Sequence, residues 1–543
     1  MHALREAHGQ QTERMKEVIS DPDLEALEAC GGQYRLERVG AERAERGGRR
    51  DQQPGDSQCD GRIGLFRRIA CHPIFPREFA RTTTRRLASL RSRRDTADII
   101  TARLALSRER ITMTKIVRAT PLRRIVHVIA AAVLLCATGA PATSAYAAVK
   151  DPALKRAERL LRSTILVDGH NDLPIAIREF KPAPRDVVAY DLRKPTPGDT
   201  DIARLRAGGV GAQFWSVYIP GEGTGPFARP QLEQIDIARQ IIARYPDTFM
   251  LATSVADVRA AKRAGKIASM LGMEGGYGLE NSIGALRAYY DLGVRYMALT
   301  HNAHLDWADA AAPLQPRNNG LTPFGEEVVR EMNRLGMLID LSHAAPSTMA
   351  QTLRITQAPV IFSHSSAKAL CNVPRNVPDD ILRELPRNGG VVMVTFVSSF
   401  INCEVSKILQ PAMVQIGLRA RAAATPEEAA KIRAEGFAAL VLPPTSIAMV
   451  ADHIDHIRNI AGIDHVGIGG DFDGNDWWPK GLDDVSTYPK LFAELIRRGW
   501  SDQDLRKLAG ENVLRAWAKT EAVAARLQKE RAPSTLVHPP AKN

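Results

Sequence analysis

Histidine and carboxylate side chains follow short apolar segments at several points in the C-terminal three quarters of the chain. One segment runs into His170 and, two positions later, Asp172. Residues two apart on a strand point to the same side, so these two side chains can bind one metal ion together. Two later segments run into His343 and His364. Their imidazoles would suit a second ion.

Glu274 ends another apolar segment and is followed by two glycines. Two metal ions held close together need a shared anion, and the two oxygens of one carboxylate can supply it. Imidazoles and carboxylates without thiolates favour zinc, with manganese, cobalt and iron as alternatives. The sequence therefore predicts a binuclear site in which Glu274 bridges the ions.

The joint placement of these residues carries the prediction. A single histidine on an apolar strand is more often a packed core residue than a ligand. Here four His or Asp residues and one glutamate all fall at predicted strand ends, which favours a metal centre. Three histidines lack that placement and are interpreted as structural: His453, His456 and His465.

Eight β-rich apolar segments, separated by helical patterns, would position these residues. They are 165–170, 210–218, 268–275, 294–301, 338–343, 360–365, 391–396 and 465–472. Alternating strands and helices predict a parallel sheet. Eight strands match a closed (β/α)8 TIM-type barrel, whose active site lies at the C-terminal strand ends. A doubly wound open sheet is the alternative.

Helical periodicity covers 230–244, 282–292, 322–335 and 379–385. An Ala-rich segment, 404–450, predicts a helical insertion between strands seven and eight, with a capped helix start at Thr425 followed by Pro426. Such an insertion could be a lid or a dimer contact. We expect the barrel to occupy 148–527 and the proline-containing tail, 528–543, to fray.

Residues 113–147 have the pattern of a secretory signal peptide: a basic start, an apolar run and a small-residue end at Ala145-Tyr146-Ala147. The apolar run is shorter than a membrane-spanning helix requires, which disfavours a stable membrane span. Residues 1–112 would then be a mis-assigned upstream extension or a disordered basic arm. We expect an exported protein, periplasmic or extracellular.

Positive charge is concentrated in this N-terminal part. Residues 1–147 hold 26 Lys and Arg against 17 Asp and Glu, a net +9, and the remainder holds 47 against 44, a net +3. The nearly neutral remainder argues against nucleic acid as a partner. Beyond residue 147 only Cys371 and Cys403 remain. They could form one disulfide in an oxidising compartment, or both could be buried free thiols.

Motifs across residues 160–520 resemble the membrane (renal) dipeptidase family. They are Asp168-Gly169-His170-Asn171-Asp172, Gly272-Met273-Glu274-Gly275, Leu299-Thr300-His301-Asn302, Asp340-Leu341-Ser342-His343, Ser363-His364-Ser365, Arg375-Asn376-Val377-Pro378-Asp379-Asp380 and Gly469-Gly470-Asp471-Phe472-Asp473-Gly474. The resemblance implies two zinc ions per chain. One is held by His-Asp and the other by His-His, with a bridging Glu, at the metal ligands His170, Asp172, Glu274, His343 and His364.

The resemblance also implies substrate-binding and catalytic roles. Asp471 would be general base and acid, His301 would hydrogen-bond the oxyanion, and Arg375 would pair with the C-terminal carboxylate of a dipeptide. From the residues alone, a strand-end cap for Asp471 and an ion pair of Arg375 with Asp379 or Asp380 are alternatives. Asp473 competes with Asp471 as the base, but its place further along the loop suggests an ordering role.

The resemblance further implies a Cys371–Cys403 disulfide and is compatible with a homodimer. Some family members carry a C-terminal lipid anchor, whereas this tail has no hydrophobic stretch, so we expect a soluble exported enzyme. The loop around Trp215, Tyr218 and Pro220, the segment 304–309 and the insertion are expected to shape the substrate pockets.

Together these features predict hydrolysis of dipeptides by a zinc-activated water, with dipeptides that end in a D-residue as candidate substrates whose acceptance the sequence leaves open. A serine-hydrolase elbow and a Walker loop are both missing from the barrel sequence. Two alternatives stay open. One is an N-acyl-amino-acid deacylase, acting on a related small amide; the other is a catalytically silent peptide-binding protein.

Overall fold

Eight parallel strands close into a barrel. The computed structural model describes residues 151–221 and 225–539. The sheet of these described residues has nine strands: β1 (Leu166–Asn171), β2 (Val210–Ser216), β3 (Phe249–Leu251), β4 (Ile267–Met273), β5 (Val294–Ala298), β6 (Leu338–Asp340), β7 (Val360–Phe362), β8 (Val391–Val394) and β9 (Val466–Ile468). Strand β1 pairs with both β2 and β9, which closes the ring and confirms the predicted barrel.

Strand β3 is a short ninth strand outside the ring. It pairs with the first residues of β4, Ile267 to Ser269, while β5 pairs with the later residues of the same strand. The barrel is completed by direct pairing of β2 with β4. Strand β3 therefore covers an edge that β5 leaves open.

Helices lie between the strands. In chain order they are α1 (Pro152–Ser163), α2 (Leu173–Arg178), α3 (Ile202–Ala207), α4 (Ala228–Arg244), α5 (Val255–Arg263), α6 (Ile283–Asp291), α7 (Pro323–Leu335), α8 (Pro346–Ile355), α9 (Asp379–Asn388), α10 (Ser398–Ile401), α11 (Cys403–Arg421), α12 (Pro426–Ala438), α13 (Ile447–Ala461), α14 (Tyr488–Arg497), α15 (Asp502–Arg506) and α16 (Asn512–Glu530). Short turns of 3-10 helix occupy Gly276–Leu279, Ile463–His465 and Val485–Thr487, and a π-helical turn occupies Lys507–Glu511.

Local sequence explains where helices begin and end. In α7 the Thr322 hydroxyl accepts the N–H of Gly325, Pro323 occupies the first turn, and Gly336 ends the helix with φ +86°. The predicted cap of the insertion is also present, because Thr425 accepts the N–H of Glu428. The insertion between β8 and β9 thus contains the helical hairpin α11–α12.

The barrel interior is apolar below the strand ends. Strand residues such as Phe214 and Met270 pack there against Trp517 of α16. Trp517 and Phe214 have ring centroids 5.9 Å apart. Helix α16 therefore closes the end of the barrel opposite the C-terminal strand ends, and polar side chains are left to gather at that other end.

The strands end earlier than the sequence predicts. Strands β6 and β9 stop at Asp340 and Ile468, so His343 and Asp471 lie in the loops that follow. Both residues adopt positive φ, +66° and +68°, which is incompatible with an extended strand. These loops, and not the strands themselves, carry several of the chemical side chains.

The C-terminal segment packs against the barrel helices. Helix α16 runs to Glu530, three residues beyond the expected boundary, and the following segment lies against α7, where Ser534 is buried and its N–H donates to Glu331. His453 and His465 are buried against backbone carbonyls, as expected of structural residues.

The predictions for 1–147 lie outside the described residues. Within the described ranges, every helix is too short or too polar to cross a membrane.

Candidate metal centre

Three imidazoles converge on the Glu274 carboxylate at the C-terminal end of the barrel. Oε2 of Glu274 lies 3.4 Å from Nε2 of His170, whereas Oε1 lies 3.0 Å from Nε2 of His343 and 3.4 Å from Nε2 of His364. The two oxygens of one carboxylate thus face different histidines. This is the geometry that a bridge between two ions requires.

Asp172 and Asp471 complete the His170 side of the centre. Oδ2 of Asp172 lies 3.2 Å and Oδ1 of Asp471 3.9 Å from Nε2 of His170. On the other side, the Nε2 atoms of His343 and His364 are 3.0 Å apart. All of these side chains are buried.

The residues fit bound metal ions. Within the described chain, Nε2 of His170, both carboxylate oxygens of Asp172 and Oδ1 of Asp471 are buried without a hydrogen-bond partner. Buried polar atoms are rarely left in that state. These atoms belong to groups of three side chains whose ligand atoms lie within 4.8 Å of one another. Oxygen and imidazole nitrogen donors with no thiolate suit zinc.

The remaining ring nitrogens of the three histidines are tethered. Nδ1 of His170 lies 2.9 Å from the Tyr296 hydroxyl, and Nδ1 of His343 lies 3.2 Å from Oδ1 of Asn302. Nδ1 of His364 lies 2.8 Å from the Ser363 hydroxyl, which is itself 2.5 Å from the Asp340 carboxylate. Such partners fix the ring orientation and the tautomer of a metal ligand.

Sequence reasoning missed these partners. Asn302 and Ser363 are direct neighbours of predicted site residues, and that adjacency is a signal that could have found them. Tyr296 lies inside strand β5 with no distinguishing local pattern, so only the closed barrel reveals its contact with His170.

Burial and local charge set the protonation of the site. Burial and then the Arg375 charge lower the pKa of His343 well below its usual value, and burial with the charge of His170 does the same for His364. The neutral form of imidazole is the one that binds metal. Burial raises the pKa of the Asp471 carboxyl well above its usual value.

His301 lies beside the His343 half of the centre. Its Nε2 is 3.7 Å from Oε1 of Glu274, and its ring centroid is 4.3 Å from that of His343. The Tyr218 ring lies against its other side, with centroids 4.9 Å apart. His301 is thus close enough to act on a group bound at the centre.

Arg375 is buried, with 3% of its surface exposed. Its Nη2 donates to the His364 carbonyl at 3.1 Å and its Nη1 to the Ser365 hydroxyl at 3.4 Å. Burial lowers the pKa of Arg375 to about 10. The alternative, an ion pair with Asp379 or Asp380, is wrong, because Arg375 is buried with His364 and Ser365 as its hydrogen-bond partners. Asp379 instead contacts Nε2 of His456 at 2.8 Å. A buried guanidinium of this kind suits a carboxylate from a ligand.

Asp473 orders a loop, as its position suggests. Its Oδ1 accepts the N–H of Asp199 at 2.7 Å, and its own N–H donates to Oδ2 of Asp199 at 2.9 Å. A Cβ atom at Gly198 would lie 2.1 Å from the Asp473 carboxylate, so only glycine fits there. The Asp473 carboxylate is therefore engaged in holding the 198–200 segment.

The structure contains the Cys371–Cys403 disulfide. It joins the loop that carries Arg375 to the first residue of α11. Asn376 reinforces this connection, since its side-chain amide donates to the carbonyls of Cys371 and Phe400 at 2.9 and 2.8 Å.

A cavity of about 280 Å³ opens beside the metal ligands. Tyr218, Pro220 and residues of the α11–α12 hairpin line it, as predicted. Two other expectations are wrong. Trp215 is fully buried in the core against Phe249, and the lining does not include the described segment 304–309. The Trp215 side chain points outward from the barrel and packs in the core beneath the surrounding helices, away from the cavity.

A closed parallel barrel with His and carboxylate side chains gathered at its C-terminal end defines a metal-dependent hydrolase architecture. Residues 154–531 match the membrane dipeptidase family, peptidase family M19, and the chain belongs to that family. The chain is accordingly a zinc-dependent hydrolase of the dipeptidase type, which confirms the enzyme class expected from the sequence.

Relatives and solved structures agree. The chain is 42% identical over 380 residues to dipeptidase 3 of Mus musculus, covering 69% of this chain and 68% of that protein. The probable dipeptidase PvdM of Pseudomonas aeruginosa has 27% identity and a TM-score of 0.59, covering 68% of this chain and 99% of that one. A Rhodobacter sphaeroides metallopeptidase, solved with a phosphinate mimic of L-Ala-D-Ala, shares the fold at 24% identity and a TM-score of 0.54, over 66% and 99% of the two chains.

Proposed function

We propose that the chain hydrolyses dipeptides with two zinc ions. The observation that carries this proposal is the division of the Glu274 carboxylate, whose Oε2 faces His170 and whose Oε1 faces His343 and His364. One ion would be held by His170 and Asp172 and the other by His343 and His364. When bound, such an ion pair lowers the pKa of a water toward neutrality and polarises a carbonyl.

Asp471 would move the proton. It lies next to the His170 side of the centre, and burial raises the pKa of its carboxyl. A carboxylate that takes a proton from attacking water and returns it to the leaving amine works best when its pKa is close to the working pH. The engagement of Asp473 with Asp199 favours Asp471 for this role.

His301 and Arg375 would orient the substrate. His301 lies beside Glu274 and His343, where its ring can donate to the oxyanion that develops at the scissile carbonyl. Arg375 would pair with the C-terminal carboxylate of the dipeptide, because its guanidinium is buried and holds only weak or backbone partners among the described residues.

An N-acyl-amino-acid deacylase is the second candidate, because its substrate also carries a carboxylate for Arg375. The carboxylates lining the cavity favour the dipeptide. Glu179, Asp473 and Asp476 join Asp172 and Asp471 there. An acidic cavity suits the free ammonium group of a dipeptide, which an N-acyl amino acid lacks, and a direct comparison of the two kinds of substrate tests this preference.

The test uses the full-length protein, stripped of metal and then restored with zinc. Hydrolysis is followed for dipeptides with L- or D-residues at the C-terminal position and for the matching N-acyl amino acids. We expect dipeptide cleavage that needs zinc and saturates at two ions per chain. Cleavage of acyl amino acids alone would establish the deacylase. Binding of two zinc ions without any cleavage would favour the silent binding protein. Light scattering on the same sample tests the homodimer.

We also propose that the enzyme acts outside the cytoplasm. The signal-peptide pattern of 113–147 and the Cys371–Cys403 disulfide support this, because disulfides persist in oxidising compartments. N-terminal sequencing of the mature protein from the periplasm or medium should give a start near residue 148. A product found only in the cytoplasm with its full N-terminal segment would contradict export.

A further inference from the structure

One side of the cavity is apolar, and it is built largely by the helical insertion. Leu409 and Met413 of α11 and Phe437 of α12 line the cavity. Val397 and Phe400, in the segment after β8, continue the same surface. We call Val397, Phe400, Leu409, Met413 and Phe437 the apolar wall.

The apolar wall is a packed structure. Leu409 and Met413 are 2% and 8% exposed and belong to one cluster with Phe437 and Trp477. Phe437 meets Trp477 edge to face, with ring centroids 5.5 Å apart. The two helices approach closely just before Phe437, since a Cβ atom at Gly436 would lie 2.7 Å from the Ile416 side chain. These contacts hold the cavity-lining side chains in place.

The wall begins at the residue proposed to bind the substrate carboxylate. The Arg375 guanidinium lies 5.2 Å from the centroid of the Phe400 ring. In a dipeptide, the carbon that carries the carboxylate also carries the C-terminal side chain. A carboxylate held by Arg375 therefore places that side chain next to Phe400.

Charge in the cavity comes from other elements. Its lining carboxylates are Asp172, Glu179, Asp471, Asp473 and Asp476, which follow β1 and β9 or end α2. The cavity-lining residues of the hairpin carry no charge. A large apolar group would be buried favourably against the hairpin, whereas a carboxylate or ammonium group there would lose its hydration.

We propose that the α11–α12 hairpin selects dipeptides whose C-terminal residue has a large apolar side chain, with Leu409, Met413 and Phe437 as specificity-determining residues. The proposal rests on the dipeptidase function proposed above, and on Arg375 as the carboxylate partner.

The test compares the position-swapped substrates Gly-Leu and Leu-Gly, with Gly-Gly and Gly-Asp, in the zinc-loaded full-length enzyme. We expect kcat/KM to be highest for Gly-Leu. Met413→Gln keeps the side-chain length and adds a polar amide. It should lower kcat/KM for Gly-Leu about tenfold and leave Leu-Gly and Gly-Gly within about twofold. Ile408→Gln is the matched control, because Ile408 lies on the same helix and is 41% exposed.

The outcomes separate the two proposals. Cleavage of none of the four dipeptides would refute the dipeptidase function itself. Cleavage of Gly-Asp and Gly-Leu with equal efficiency would overturn the inference alone. So would a Met413→Gln variant of unchanged zinc content and melting temperature that loses activity equally on all substrates, or selectively on Leu-Gly. Leu409→Asn, measured on the same substrates, provides a second variant if Met413→Gln does not fold.

Discussion

The Ser363 hydroxyl lies 2.8 Å from Nδ1 of His364, and the same oxygen is 2.5 Å from the carboxylate of Asp340. A hydroxyl has one hydrogen to donate. An ionised carboxylate has none and acts as an acceptor, so the Ser363 hydroxyl donates its hydrogen to Asp340. The Ser363 oxygen therefore accepts the Nδ1–H of His364. This leaves Nε2 of His364 unprotonated and directed at Glu274, in the form that a metal ligand needs.

We expect Ser363→Ala to weaken zinc binding by about 10- to 100-fold, because a metal-binding histidine loses the partner that fixes its tautomer. Competition with a chromophoric chelator measures the zinc affinity. Ser366→Ala is the control, since Ser366 is equally buried but its hydroxyl has no hydrogen-bond partner among the described residues. Equal zinc affinity in the two variants would show that Ser363 does not tether the ligand.

Asp471→Asn should lower kcat by about 10²- to 10⁴-fold, because the amide keeps the shape of the side chain but cannot accept a proton. The zinc content should stay unchanged. Asp473→Asn is the matched comparison, two residues along the same loop. Its amide oxygen can still accept the N–H of Asp199, so we expect a loss of less than about tenfold.

The reverse result would be equally informative. A large loss in Asp473→Asn with a small loss in Asp471→Asn would move the general base to Asp473. Loss of bound zinc in Asp471→Asn would instead make Asp471 a metal ligand, in the group that its side chain forms with His170 and Asp172.

The barrel and the convergence of its side chains were predictable from sequence. Continuous apolar segments indicate strands buried on both faces, and eight of them imply closure. Once the ring closes, residues that follow different strands must meet at one end. This is why His170, Glu274, His343 and His364 were found without any contact information.

Other features depend on tertiary contacts that local sequence does not encode. The eight-residue strand predicted at 465–472 begins in a 3-10 turn and continues past β9, because Asp471 turns the chain with positive φ. Trp215 is an aromatic residue of the kind that often lines a pocket, but its side chain is buried in the core against Phe249. Whether a strand side chain faces the cavity or the core depends on its place in the alternation along the strand. A shift of one residue in the predicted register exchanges the two faces.

The Cys371–Cys403 disulfide should stabilise the fold and the substrate-binding loop together. It closes a loop across a sequence separation of 32 residues. By chain entropy alone, a loop of this length contributes about 3 to 4 kcal/mol. We expect the Cys371→Ala, Cys403→Ala double variant to lose an amount of this order in the free energy of unfolding, measured by denaturant titration.

The same variant should raise KM more than it lowers kcat, because Arg375 lies inside the closed loop and its proposed role is to bind the substrate carboxylate. Wild-type enzyme reduced with dithiothreitol should behave like the double variant. Unchanged KM in both would mean that the Asn376 hydrogen bonds alone hold the loop.

His453 should make the fold sensitive to mild acid. Its ring is buried, Nδ1 accepts the N–H of Ala367 at 3.0 Å and Nε2 lies 3.1 Å from the Ile401 carbonyl, to which it donates. This neutral ring uses both nitrogens. Burial lowers its pKa to about 4, with a smaller contribution from His456.

The unfolded chain, with a histidine pKa of about 6.5, binds more protons than the native state as the pH falls. The contribution of His453 is therefore complete above pH 6.5 and is lost progressively toward pH 4, by about 3 kcal/mol. His453→Asn stays neutral and can still accept the N–H of Ala367, so its free energy of unfolding should fall less steeply across this window. Denaturant titrations of metal-free wild type and variant, from pH 7 to 4, keep zinc release out of the comparison. Equal slopes would mean that the buried ring is protonated as readily in the folded state as in the unfolded chain.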